Sequence, residues 1–223
     1  MFEIKDLNCK ILTGSKIPNF DYKDRIQKIL KSLETLHKTI LCVVVDDHDD
    51  GHFLKEECKG GYYRGIGSQE RRELNGCDLI KEAIDIKNTA GHLICLAEMC
   101  HKDEMLFTAV FAHECGHLRQ SIKVGKSRFS EDDVERLKEK WLNSVKDDEK
   151  RNPPWEIDAD LFMYSVLAKF YSESQIDSFL ENEISVGRRN RERVVMIRQL
   201  INTGSTYDFL EQLTLDPSTA SRT

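Results

Sequence analysis

The segment 111–120, FAHECGHLRQ, constrains the fold of this chain more than any other feature. Its histidines, His113 and His117, are four residues apart, and on an α-helix such positions lie on one face, one turn apart. Both imidazoles can therefore reach one metal ion, and Glu114 can act on a metal-activated water as a general base. Composition alone predicts roughly 0.02 H-E-x-x-H windows in such a chain, so chance is a poor explanation.

The third ligand of such a site has to come from elsewhere in the chain. A catalytic zinc usually takes three protein ligands, and His117 is the last histidine, so a carboxylate must complete the set. The segment 155–171, WEIDADLFMYSVLAKFY, offers Glu156 and Asp160 in the pattern E-x-x-A-D, of which composition predicts roughly 0.03 copies. A second E-x-x-x-D pattern, Glu173 to Asp177, lacks the alanine and competes for the role.

Both ligand-bearing segments place these polar residues on a helix face that is otherwise apolar. Buried carboxylates are costly unless a cation or hydrogen bonds compensate them. Two helices with this pattern predict a metal ion between them. The stripes are Leu106, Val110, His113 and His117 on the first helix, and Glu156, Asp160, Met163, Leu167 and Phe170 on the second.

Strand-like segments come early in the chain and helix-like segments come late, which predicts an α+β fold. We expect one domain over 1–223, with a small mixed sheet in 1–102, a helical part carrying the zinc site in 103–216, and a tail at 217–223. The predicted strands are TILCVVV (39–45), HLICLAEM (92–99) and an irregular strand within 57–76. The predicted helices are 20–38, 77–86, 103–122, 130–150, 155–171, 174–182, 186–202 and 205–214.

Composition and charge exclude several classes of protein. The net charge of −6 argues against nucleic-acid binding, and the arginine-rich stretch 187–198 is interpreted as a salt-bridged helix because ENE (181–183) lies nearby. No apolar run approaches the ~20 residues that span a bilayer, and the N-terminus lacks the apolar core of a signal peptide. Seven cysteines without a C-x-x-C pair predict a reducing, cytoplasmic location and small buried thiols.

The two motifs together resemble the zinc site of the gluzincins, the thermolysin-like clan of metallopeptidases. HECGH is followed, 39 residues after its second histidine (117 to 156), by ExxAD. The resemblance covers about 55 residues, Phe111 to Ser165, and among compact cytosolic members it is strongest to the ImmA/IrrE-type zinc peptidases. It implies that His113, His117 and Glu156 bind zinc and that Glu114 is the general base. It also implies a zincin-like fold, with Asp160 accepting a hydrogen bond from His113 and so fixing that ligand.

The predicted function is therefore zinc-dependent hydrolysis of peptide bonds in a cytosolic protein or peptide substrate. A narrower version cuts one specific regulatory partner, and the rival from another class is a zinc-stabilised binding module with little hydrolysis. In this clan a strand before the active-site helix commonly runs along the substrate, so HLICLAEM is expected to offer a backbone edge to an extended peptide.

The sequence leaves the roles of several further residues open. A donor to the developing oxyanion is needed beside the metal, and four residues are conceivable: His92, Tyr164, Tyr171 and Arg188. Cys115 lies on the side of the helix away from His113 and is expected to pack in the core. The segment 46–57, DDHDDGHFLKEE, resembles an EF-hand loop, but an acidic surface loop is the favoured interpretation because a strand precedes it.

Overall fold

The structure is a computed structural model of the 223-residue chain, and it describes residues 2–4, 9–13, 17–33, 40–45, 61–65, 91–147 and 149–215. The predicted α+β class is confirmed. The chain divides into two compact units, Met1–Leu118 and Arg119–Thr223. One helix runs through this boundary, and the organisation as a single domain stays a prediction.

The described strands of the first unit are β1 (Phe2–Ile4), β2 (Cys9–Thr13), β3 (Ile40–Val45), β4 (Gly61–Gly65) and β5 (Gly91–Leu96). They form one mixed sheet in the order β1–β2–β3–β5–β4. The parallel pairs are β2 with β3 and β3 with β5, whereas β1 and β4 join the sheet antiparallel to β2 and β5. Strands lie where TILCVVV and HLICLAEM predicted them, and a short strand lies within 57–76.

Strand β5 is an interior strand, because it pairs with β3 on one side and with β4 on the other. Every residue of β5 except His92 is buried, so both of its faces are covered. The expectation that HLICLAEM offers its backbone edge to a peptide is therefore wrong, since its N–H and C=O groups already form two ladders. The strand also ends early, and a 3-10 helix, Glu98–Lys102, follows it. Among the described strands, β1 and β4 are the outer ones.

Helix α1 (Tyr22–Leu30) begins at Asp21, whose side chain accepts a hydrogen bond from the Asp24 N–H. The predicted helix 20–38 is too long. After Leu30 the N–H groups of Ser32 and Leu33 bond to carbonyls three residues back, which tightens the chain into a turn. Leu33 is nevertheless buried, which explains why the apolar periodicity continued past the end of the helix.

Helix α2 (Glu104–Lys126) is the helix that runs through the boundary, and its first half packs in the first unit. The Phe107 ring meets those of Phe20 and Tyr22 edge-on, with centroids 5.2 and 6.5 Å apart. Arg25 of α1 forms an ion pair with Glu104 in the first turn of α2. Aromatic burial and this ion pair together hold α1 against α2.

Strand β4 approaches α2 closely at Gly61. A Cβ atom at this position would lie 2.8 Å from the Cys95 carbonyl oxygen and 2.9 Å from Val110 Cγ1. Both distances are well inside ordinary contact, so only glycine fits between β5 and α2 without a shift.

The cysteines of the chain are confined to the first unit, because all seven precede residue 119. The four whose side chains the structure describes are buried, as predicted for small core residues: Cys9, Cys95, Cys100 and Cys115. Burial raises the pKa of the Cys115 thiol well above its ordinary value.

The second unit is helical. Its described helices after α2 are α3 (Glu131–Ser144), α4 (Pro154–Phe170), α5 (Glu173–Ser185), α6 (Arg191–Thr203) and α7 (Phe209–Thr214). Helix α4 packs against α5, α6 and α7, and α3 packs against α7. A capping box, Ser130 with Asp133, begins α3, and a second one, Ser172 with Gln175, begins α5.

The start of α6 differs from the predicted helix 186–202. Gly187 has a φ of +71° and Asn190 caps the helix, so residues 186–190 form a turn and the helix begins at Arg191. The predicted helix 77–86, the acidic loop 46–57 and the tail 217–223 lie outside the described residues. Within the described part of the chain, none of the helices has the length and apolar content needed to cross a bilayer.

Candidate metal centre

Helix α2 brings His113 and His117 onto one face, as their spacing predicts. Their Nε2 atoms are 3.2 Å apart, and their rings are nearly perpendicular, with centroids 4.8 Å apart. Both side chains are half-buried. Two ring nitrogens therefore converge on one point at the surface of the helix.

The distance between the two nitrogens fits a shared zinc ion. Zinc binds imidazole nitrogen at about 2.0–2.1 Å. Two nitrogens 3.2 Å apart at that radius subtend an angle of about 100° at the ion, close to the tetrahedral value that zinc prefers. The imidazole pair thus suits zinc in both ligand chemistry and spacing.

Glu156 lies in the first turn of α4, just after the Pro153-Pro154 pair that starts the helix. It is half-buried. Within the second unit, two residues from the last third of α2 contact this first turn of α4. Arg119 forms an ion pair with the buried carboxylate of Asp158 at 2.8 Å. Gln120 donates to the Trp155 carbonyl oxygen at 2.5 Å and to Asp158 at 3.1 Å.

The ligand atoms of His113, His117 and Glu156 all lie within 4.8 Å of one another. They form the one group of three or more possible metal ligands among the described residues. The competing Glu173 is not a member, and its partner in the pattern, Asp177, pairs with Arg198 at 2.6 Å. Of the two E-x-x-x-D patterns, the structure favours the one with alanine.

Asp160, the predicted orienting carboxylate, is buried and lies against two arginines. Arg189 Nη1 donates to its Oδ1 at 2.9 Å, and Arg193 Nη1 lies 3.5 Å from its Oδ2. Arg193 also reaches Oε2 of Glu156 at 3.3 Å. Both carboxylates of the E-x-x-A-D motif are thus paired with guanidinium groups. The predicted hydrogen bond from His113 to Asp160 stays a prediction.

The contacts of Arg189 and Arg193 with the site carboxylates were not predicted from the sequence. Their segment was predicted to be a salt-bridged helix, and the ion pairs are confirmed: Arg188 with Glu183, Arg191 with Glu181, and Arg198 with Asp177. The two remaining arginines of this segment form ion pairs with the carboxylates of Asp160 and Glu156 instead. The local sequence carried no signal for these contacts, because Arg189 lies in the turn before α6 and only Arg193 lies on the helix.

Glu114 and Cys115 follow the first histidine, and both are buried. Cys115 has no solvent exposure, which confirms its predicted packing role. The Glu114 side chain is 6% exposed, so its carboxylate is largely withdrawn from bulk water. Its role as a base stays a prediction.

The conceivable oxyanion donors have distinct surroundings. His92 on β5 shares a 2.8 Å hydrogen bond with the Tyr63 hydroxyl, and burial lowers its pKa to about 4. Burial raises the pKa of Tyr164 to about 12. Arg188 is held by Glu183, and Tyr171 lies at the C-terminal end of α4. At neutral pH, His92 is therefore neutral and Tyr164 keeps its proton.

Comparisons with known proteins give no match to this chain. No family model matches the sequence, and neither the curated proteins nor the solved structures compared with it give a match.

Proposed function

We propose that this protein is a zinc-dependent peptidase that hydrolyses peptide bonds of cytosolic protein or peptide substrates. The observation that carries the proposal is the convergence of His113, His117 and Glu156, with the two imidazole nitrogens at the spacing that zinc requires. The order of the motifs along the chain, HECGH and then ExxAD, supports a gluzincin-like site in a zincin-like fold. The ImmA/IrrE-type peptidases are the proposed relatives, and a specific regulatory protein is a proposed substrate.

The residues present supply the remaining parts of a hydrolytic site. His113, His117 and Glu156 would hold the zinc ion, which would supply Lewis acidity toward the scissile carbonyl and a water of lowered pKa. Glu114 follows the first ligand by one residue, so its side chain points about 100° away from that of His113. It takes the proton of the attacking water and delivers it to the leaving amine. Asp160 fixes the geometry of the site through its hydrogen bonds.

The metal assignment is tested by elemental analysis of purified variants. We expect one zinc per chain in the wild type and loss of zinc in His117→Ala and Glu156→Ala. The matched control is Glu173→Ala, because Glu173 also lies in the first turn of a helix, α5. Retention of zinc in Glu156→Ala together with its loss in Glu173→Ala would move the third ligand to the competing pattern.

The catalytic assignment is tested with Glu114→Gln, which keeps the size of the side chain but removes the base. Zinc content and folding are expected to stay near wild type, while cleavage of a peptide library falls by about 10² or more. Glu104→Gln, in the first turn of the same helix, is the control and should cleave like wild type. Loss of cleavage with zinc retained also makes Glu114→Gln a trap for substrates in a cell extract.

The same experiment separates the enzyme from the zinc-stabilised binding module. A module binds zinc through the same three ligands but does not need Glu114 as a base. If wild type and Glu114→Gln both carry zinc and both leave the library and the trapped partner uncut, the peptidase proposal fails and the binding module replaces it.

A further inference from the structure

The turn between α5 and α6 is built around one buried acid, Glu183. Its carboxylate accepts hydrogen bonds from Arg188 Nε at 2.9 Å and Nη2 at 2.5 Å. Its carbonyl oxygen accepts the N–H groups of Arg188 and Arg189 at 2.9 and 3.2 Å. Its side chain is 4% exposed, whereas that of Arg188 is 31% exposed. Gly187, with a φ of +71°, allows the chain to reverse here.

This turn determines where two arginines lie. Arg189 leaves the turn directly and binds Asp160, with only 14% of its side chain exposed. Arg193 follows on the first turns of α6 and reaches both Glu156 and Asp160. It also donates to the Arg151 carbonyl oxygen at 2.6 Å, which ties α6 to the segment just before α4.

We propose that Glu183 is a positioning residue for the metal centre, acting by holding the α5–α6 turn so that Arg189 and Arg193 fix the carboxylates of Asp160 and Glu156. The inference rests on the proposed metal site for its effect on zinc. The coupling between Glu183 and Asp160 is a property of the metal-free protein.

The negative charges of Asp160 and Glu156 make it necessary that their arginine partners are held in place. Asp160 is buried, and a carboxylate in that setting is stable only with its hydrogen bonds satisfied. Arg193 holds one oxygen of Glu156, Oε2, and so restricts how the other oxygen can be presented to a metal ion. A planar guanidinium on a fixed backbone orients its partner better than a mobile one. Disruption of the α5–α6 turn should therefore make the carboxylates of Asp160 and Glu156 more mobile, although both residues are still present.

Two variants perturb the turn in different ways, and each has a matched control. Glu183→Gln removes the charge, and its control is Glu181→Gln, on the same helix, where the glutamate pairs with Arg191 in an exposed ion pair at 3.2 Å. Gly187→Ala strains the turn through its positive φ with no atom within 4 Å of the added Cβ. Its control is Gly204→Ala, which has the same absence of contacts and a φ of +63°.

The first measurement is a double-mutant cycle on urea unfolding of the metal-free protein, with chelator present. Asp160→Asn is combined with each variant. We expect the effect of Asp160→Asn on the folding equilibrium constant to be about fivefold smaller in the Glu183→Gln and Gly187→Ala backgrounds, as for residues in one network. It should be unchanged in both control backgrounds. Additive effects in all four backgrounds would overturn the proposal.

The second measurement is zinc affinity, by competition with a chromogenic chelator. We expect Glu183→Gln and Gly187→Ala to bind zinc about 3- to 10-fold more weakly, less than the 10–100-fold typical of a direct orienting partner. Both controls should bind like wild type. Equal losses in variants and controls would overturn the positioning role. A wild type that binds no zinc would reject the proposed function instead, and the metal-free cycle would still decide the coupling.

Discussion

A single methyl group added at Gly61 should destabilise the first unit. In Gly61→Ala the new Cβ meets the Cys95 carbonyl oxygen at 2.8 Å and Val110 Cγ1 at 2.9 Å, whereas ordinary contacts begin near 3.4 Å. The Cys95 oxygen belongs to β5, which is paired on both sides and cannot retreat alone. Val110 is β-branched and has essentially one favoured rotamer in a helix. Relief therefore requires movement of β4 or α2.

The expected cost follows from these two contacts. Overpacking of this kind typically costs about 1–3 kcal/mol, and we expect Gly61→Ala, with two such close contacts, to lose about 2 kcal/mol of folding free energy. Gly65→Ala, on the same strand, is the control, because nothing lies within 4 Å of its added Cβ. It should be neutral or stabilising by about 0.5 kcal/mol, since alanine restricts the unfolded chain more than glycine does.

The assay is urea unfolding followed by circular dichroism, with the zinc affinity of each variant as a second readout. Val110 lies three residues before His113, so a shift of α2 should also weaken zinc binding in Gly61→Ala and not in Gly65→Ala. If the two variants unfold within about 0.5 kcal/mol of each other, the spread expected for unremarkable surface substitutions, the close approach of β4 to α2 is refuted.

Two further predictions concern ionisable groups. Asp160→Asn should weaken zinc binding by about 10–100-fold without abolishing it, and a chelator-competition curve that overlays wild type would contradict its orienting role. Burial lowers the pKa of His92 from its ordinary value of 6.5 to about 4. As the pH falls from 6.5 to about 4, the unfolded chain therefore binds a proton at His92 and the folded chain does not. Stability should drop by at most about 3 kcal/mol over that window, and unfolding midpoints of His92→Gln should lack this part of the pH dependence.

The sequence predicted the helices of the second unit well because their ends carry local chemistry. Ser130 and Asp133, three residues apart, form a capping box at the start of α3, and the proline pair starts α4. The end of α1 was missed because Leu33 is buried in a turn, and burial produces the same apolar spacing whether or not the helix continues. Gly187, a turn residue, and Asn190, an N-cap residue, indicated in the sequence that α6 begins at Arg191. The helical spacing of apolar residues suggested an earlier start.

For the candidate metal centre, the sequence predicted which three residues come together but not their surroundings. The spacing of His113 and His117 dictates convergence on any helix, so their 3.2 Å separation follows from local geometry. The pairing of Arg189 and Arg193 with the site carboxylates depends on how α6 packs against α4, which is a tertiary contact. The interior position of β5 likewise depends on strand order, which no single segment specifies.

All seven cysteines precede residue 119 and both tryptophans follow it, so each compact unit carries its own probe of local unfolding. Thiol labelling read by mass spectrometry at Cys95 and Cys115, both buried, follows only the sheet-containing unit. Trp141 and Trp155, which pack ring against ring at 5.8 Å and are the only tryptophans of the chain, give fluorescence from the helical unit alone. Sub-global openings of a protein can differ in free energy from complete unfolding. Labelling and fluorescence on the same sample therefore measure, without any engineered probe, whether helix α2 makes the two units unfold as one.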